Sequence, residues 1–183
     1  MCYDFEDIEY VFSYLNYTLT EDELRRSLHF FSEERAFVRE HFENLSWDAP
    51  VNKQKQAIDY LATNLKSWEY IYLILAGTYN LCFVNHERRY FKCIVDKSKW
   101  ENAAKVIQKI GWPRIENIVV PLFYWLLDSN WPGSETIRSL ILNLPKEVLT
   151  EKCNTILTSP GRYLPTDFED LKDIIQDITE ELG

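Results

Sequence analysis

Three histidines (His29, His41, His86) and four cysteines (Cys2, Cys82, Cys93, Cys153) are the side chains of this chain best suited to hold a metal or attack a substrate. A zinc site needs three or four converging ligands, usually with two close in sequence. Here there is no Cys-x-x-Cys pair, and no histidine is placed to complete a site. His29 beside Phe30-Phe31 and His41 beside Phe42 read instead as surface or half-buried helix residues. An activated serine would sit in a Gly-x-Ser-x-Gly elbow and a reactive cysteine next to a base, and neither pattern occurs. Phosphate-cradling loops require glycines, and the chain has five in 183 residues. Carboxylate pairs such as Glu33-Glu34 and Glu180-Glu181 fall on expected solvated faces. The sequence thus argues against an enzyme, and it calls for no cofactor or metal.

Binding chemistry is what remains. In the stretch 125–133, Trp125, Asp128, Asn130 and Trp131 surround a tight turn. Asp128 and Asn130 could line the rim of a groove, or their side chains could bond the nearby backbone, as Asp and Asn do in turns. Trp125 and Trp131 could anchor a partner or pack the corner, and the adjoining turn favours packing. Near the C-terminus Asp170, Asp173, Asp177 and Glu180 form an acidic line. The net charge of −9 is unevenly spread: residues 1–52 carry −8, residues 53–114 carry +6 and residues 115–183 carry −7. The basic middle, with Arg88, Arg89, Lys92, Lys97, Lys99, Lys105 and Lys109, is the candidate surface for nucleic acid, by analogy with helical-repeat DNA-repair proteins. Phosphate neutralisation drives such binding, and the two acidic flanks oppose it.

The elements that must position these residues are helices. Apolar content is 46% and aromatic content 15%, enough for a continuous core, while short alternating runs are lacking. Phe5, Ile8, Phe12 and Leu15 form a first helical stripe. Thr20-Glu21-Asp22-Glu23 matches a capping box ahead of Leu24, Leu28 and Phe31. That helix either continues through Phe37, Val38 and Phe42 or restarts at Ser32. Ser46-Trp47-Asp48-Ala49-Pro50 is a corner before Ala57, Ile58, Leu61 and Leu65, and Ser67 starts an apolar helix that runs to Gly77. Residues 80–95 read as a hairpin or as a helical turn followed by a helix, with helix or irregular structure preferred.

Trp100, Ala103, Ala104, Ile107 and Ile110 predict a helix with a small-residue face, stopped by Gly111. Pro121 must then break or kink the following run, or mark a helix start after extended residues 118–120. Trp112-Pro113 and Trp131-Pro132 lie nineteen residues apart, one helix plus one turn. Proline suits the first helical position, so Pro132 is expected to open the next helix, with Ile137, Leu140 and Ile141 inward. Leu144-Pro145 forms another corner, and Val148, Leu149, Cys153, Ile156 and Leu157 line the helix beyond. After a loop at 159–165, a helix from Thr166 turns Phe168, Leu171, Ile174, Ile175 and Ile178 inward and acids outward.

Three pieces carry a resemblance: Leu45-Ser46-Trp47-Asp48-Ala49-Pro50 with Gln56-Ala57-Ile58, Trp100-Glu101-Asn102-Ala103-Ala104-Lys105-Val106-Ile107, and Trp125-Leu126-Leu127-Asp128-Ser129-Asn130-Trp131-Pro132-Gly133. In this order, over residues 44–150, they resemble a bacterial family of unassigned function with HEAT-like helical repeats, whose members look like small antitoxin or immunity proteins. The resemblance implies stacked antiparallel helix pairs and binding to another protein, such as a basic toxin domain. It supplies no catalytic residues.

The expected molecule is a single all-α domain over 1–183. It comprises N-terminal helices in 1–44, a HEAT-like α-α superhelix in 45–158 and an acidic C-terminal helix in 166–183. The start of the chain is acidic and lacks the features of a secretory leader, no apolar run reaches the ~20 residues of a membrane span, and widely scattered cysteines fit reduced thiols. The expectation is therefore a cytoplasmic, soluble protein.

Overall fold

The computed structural model describes residues 20–22, 25, 36–70, 73, 97–159 and 165–181. Among these residues every regular element is helical, with seven α-helices and no strand. They are α1 (Ala36–Glu43), α2 (Val51–Asn64), α3 (Trp100–Ile110), α4 (Val119–Leu122), α5 (Ser134–Leu142), α6 (Lys146–Leu157) and α7 (Pro165–Glu181). The expectations for residues 1–19 and for 80–95 lie outside the described residues. Of the expected second helix, Glu21, Asp22 and Arg25 are helical, and Arg25 pairs with Glu21 one turn earlier at 2.6 Å. Among the described residues no helix is long and apolar enough to cross a membrane.

α3 is the central element. It buries Trp100, Asn102, Ala103, Ala104, Val106, Ile107 and Ile110, more of its circumference than a one-sided amphipathic stripe would cover. The reason is that it is sandwiched: α2 packs on one side and α5 on another, while α1 packs on α2. Gly111 ends α3 in the left-handed region, at φ 64°, and donates its N–H to the Ile107 carbonyl at 3.0 Å. Glycine adopts that conformation without the Cβ penalty other residues meet there.

The run after α3 is broken into short pieces around Pro121, and residues 118–120 are wound rather than extended. A 3-10 turn (Glu116–Ile118), the short α4 and a second 3-10 turn (Phe123–Leu126) follow one another without an extended break. Pro121 sits within the single turn of α4, and the Phe123 N–H reaches back only three residues to the Val120 carbonyl. A proline so early in an α-turn removes an N–H that had no partner within that turn. The tighter 3-10 winding on either side absorbs its ring. From Ile118 onward the run is largely interior: Ile118, Val119, Pro121, Leu122, Phe123, Tyr124, Trp125 and Leu126 are all buried.

The prolines divide into two kinds. Pro50 and Pro145 stand immediately before α2 and α6, each accepting helical N–H groups on its carbonyl, and Pro165 is itself the first residue of α7. The two Trp-Pro pairs behave differently, against the expectation that they open helices. The Trp112–Pro113 peptide is cis and helical winding resumes only at Glu116. Pro132 precedes α5 by two residues because Gly133 intervenes at φ 85°, a left-handed conformation that no right-handed helix can include.

Gly133 has a second reason to be glycine. A Cβ built there would lie 2.6 Å from the Ala104 Cβ, 3.2 Å from the Trp100 carbonyl oxygen and 3.4 Å from Trp125 Cζ2. The small-residue face of α3 is thus the surface against which α5 begins. α6 follows α5 after the turn at Asn143, where the Asn143 side chain donates to the Ser139 carbonyl at 2.7 Å and Leu144 N–H to Ile141 at 3.1 Å. α7 then lays Leu171, Ile175 and Ile178 into the core, with Phe168 and Ile174 packed at its edge.

Replacing Gly133 by Ala should cost about 2–4 kcal/mol, combining the positive φ with overpacking against α3. Urea denaturation should show part of that loss recovered when Ala104→Gly is added, since only the steric part involves Ala104. A neutral Gly133→Ala would contradict the described contact.

Candidate functional site

The residues singled out around the 125–133 turn do come together, and most of their polar groups bond to one another. Trp125 is fully buried, and its indole Nε1–H donates to the Pro132 carbonyl at 3.0 Å. Asp128 is half-buried, and its Oδ1 accepts the Asn130 backbone N–H at 2.8 Å and side-chain Nδ2 at 3.1 Å. The Trp131 N–H donates to the Asp128 carbonyl and the Ser134 N–H to the Trp131 carbonyl, both at 3.0 Å. Ser134 Oγ lies 3.1 Å from the Trp125 carbonyl and 3.0 Å from the Asp128 carbonyl, the two ends of the turn. Trp131 is half-buried and sets its ring edge-on to Trp100 at 5.4 Å.

These geometries separate the two readings of the corner. Trp125 has no surface to offer a partner, and Asp128 is committed to an Asx-type turn. Asn130 is exposed at the tip, and Trp131 presents part of its ring beside it.

A second constellation, which sequence reasoning missed, holds the corner at residues 45–50. Asn102 of α3 is buried, and its Nδ2 donates to the Leu45 carbonyl at 2.8 Å and to Gln54 Oε1 at 2.9 Å. Gln54 Nε2 in turn donates to the carbonyls of Trp47 at 3.1 Å and Ala49 at 2.7 Å. Two amides thereby satisfy three backbone carbonyls at the place where α1 ends and α2 begins. Ser46 Oγ donates to Ser98 Oγ, and the Trp47 N–H to the Ser98 carbonyl, both at 2.9 Å. The signal was present in the sequence: Asn102 is a polar residue set among the small and apolar residues of α3, an arrangement that demands a buried partner.

Charged side chains pair along α2, α3 and the turns beside them. The Lys99 side chain is only 2% exposed and pairs with Glu43 Oε2 at 2.9 Å. Glu69 is buried, and one of its carboxylate oxygens accepts the Lys66 N–H at 2.8 Å. Lys109 pairs with Asp59, whose carboxyl is held below its ordinary range by that hydrogen bond. Lys105 pairs with Glu101 at 3.1 Å, and Lys97 lies 5.8 Å from the Trp100 ring centre. In the described part of the basic stretch, Lys99, Lys105 and Lys109 are therefore each matched by an acid of the chain itself.

The acidic line on α7 is different. Asp170, Asp173, Asp177 and Glu180 recur three and four residues apart on the helix face away from Leu171, Ile175 and Ile178, and all four are exposed. The neighbouring acids are engaged: Glu169 with Lys172, and Glu181 with Arg138 of α5 at 2.7 Å. Gln176 donates to Glu180 at 2.9 Å. Among the described residues no cation pairs with Asp170, Asp173 or Asp177, and no hydrogen bond joins this line to Asp128 or Asn130.

Among the described residues no three His, Cys, Asp or Glu side chains converge as metal ligands. Cys153 is a free, buried thiol whose pKa is pushed up to about 11 by burial. That is the reverse of an activated cysteine, whose pKa is lowered by a nearby positive charge or a helix N-terminus. It should resist alkylation in the folded protein and react on unfolding.

The raised folded pKa also has a stability consequence. Unfolded, the thiol ionises near 9.0, and folded only near 11, so its contribution is fully present below pH 9 and falls as pH rises towards 11. The stability gap between the wild type and Cys153→Ala should narrow over that window. A gap independent of pH would contradict the burial described.

For the amide relay, Asn102→Ala should cost about 1–3 kcal/mol by leaving the Leu45 carbonyl and the Gln54 amide unsatisfied. Denaturation of Asn102→Ala, Gln54→Ala and the double variant should show strong coupling, because the Asn102 amide donates directly to Gln54 Oε1. Additive losses would mean that the two amides act separately. Comparison with protein-family models, with curated proteins and with solved structures finds no match to this chain, so its function rests on the geometry of the corner, the relay and the acidic helix.

Proposed function

We propose that this chain is a non-catalytic protein-binding module of the cytoplasm, an immunity- or antitoxin-type protein that neutralises a basic toxin domain, built on a short HEAT-like stack. The observation that carries this reading is the exposed line of Asp170, Asp173, Asp177 and Glu180, none of which has a cation partner among the described residues. A solvated row of like charges, held on a helix whose opposite face is locked into the core, costs self-repulsion. It is suited to speed encounter with a basic partner. Asn130 and the half-exposed Trp131 offer a second, smaller contact beside a turn that is already rigid, so little conformational entropy would be lost on binding.

The in-chain pairing of Lys99, Lys105 and Lys109 supports the ranking of protein over nucleic acid, since paired lysines release fewer counterions on meeting phosphate. The HEAT-like reading of the stack draws on the short turns joining α1 to α2 and α5 to α6 and on α3 lying between α2 and α5. Each helix then depends on its neighbours for burial, as in other helical arrays.

Co-expression with toxins encoded beside this chain is the direct test, with rescue of growth and a complex at micromolar concentration as the expected result. Reversing Asp170, Asp173 and Asp177 to Lys should slow association about 10–100-fold at low salt and leave the melting temperature close to that of the wild type. Absence of both rescue and complex would overturn the proposal.

A further inference from the structure

We draw no further inference here: the strongest candidate, the apolar surface that Trp47 and Val51 expose at the α1–α2 corner, carries nothing because nothing in the structure shows what covers it.

Discussion

The approach of the Gly133 backbone to the Ala104 side chain sets where the second half of the described chain can go. With no side chain at 133 and a methyl at 104, the start of α5 lies directly on α3, and the Trp125 ring is enclosed beside the same contact. That placement brings the Trp125 indole to the Pro132 carbonyl and the Ser134 hydroxyl to the carbonyls at both ends of the turn. The relative magnitudes show what holds the arrangement and what selects it. A buried tryptophan hides roughly 150–250 Å², worth at most about 4–6 kcal/mol by area, whereas each internal hydrogen bond contributes on the order of 1 kcal/mol net. Burial of Trp100 and Trp125 therefore holds the halves together, and the hydrogen bonds decide which of several packed turns forms.

The other side of α3 solves a different problem. Where α1 stops and α2 begins, the backbone leaves carbonyls that no helix can satisfy, and Leu45 of the junction is buried. Asn102 and Gln54 meet that demand with side-chain amides, and the Ser46–Ser98 contact ties the same corner to the turn before α3. One face of α3 is therefore apolar and made of small residues, and the other carries a polar relay. The relay also fixes the direction of the corner, leaving the Trp47 side chain 57% exposed.

Much of the fold was legible in the sequence because the described helices obey simple periodicity. The stripes of α2, α3 and α7, that of α6 apart from Leu157, which lies exposed at the helix end, the stop at Gly111 and the corners at Pro50 and Pro145 follow from local chemistry that tertiary contacts did not override. The failures are equally physical. Pro132 satisfies every local rule for a helix start, but Gly133 must be left-handed to reach α3, and that requirement is visible only in three dimensions. Pro121 sits in a run so uniformly apolar that periodicity has no polar face to read, so its 3-10 winding left no trace in the pattern. For the candidate site, the acidic face of α7 was readable from spacing alone. The partners of Asn102 were not, since Leu45 and Gln54 lie 57 and 48 residues away.

Taken together, the tryptophan corner and the amide relay use most of their polar groups internally, whereas the outward carboxylates of α7 face solvent. The sharpest test of that division is native-state hydrogen exchange at the Trp125 indole N–H. If the corner is closed interior structure, this proton should exchange as slowly as the most protected backbone amides, through global unfolding. Exchange at the rate of a solvent-exposed indole would mean that the corner opens and that its tryptophan is free to bind, contradicting the account.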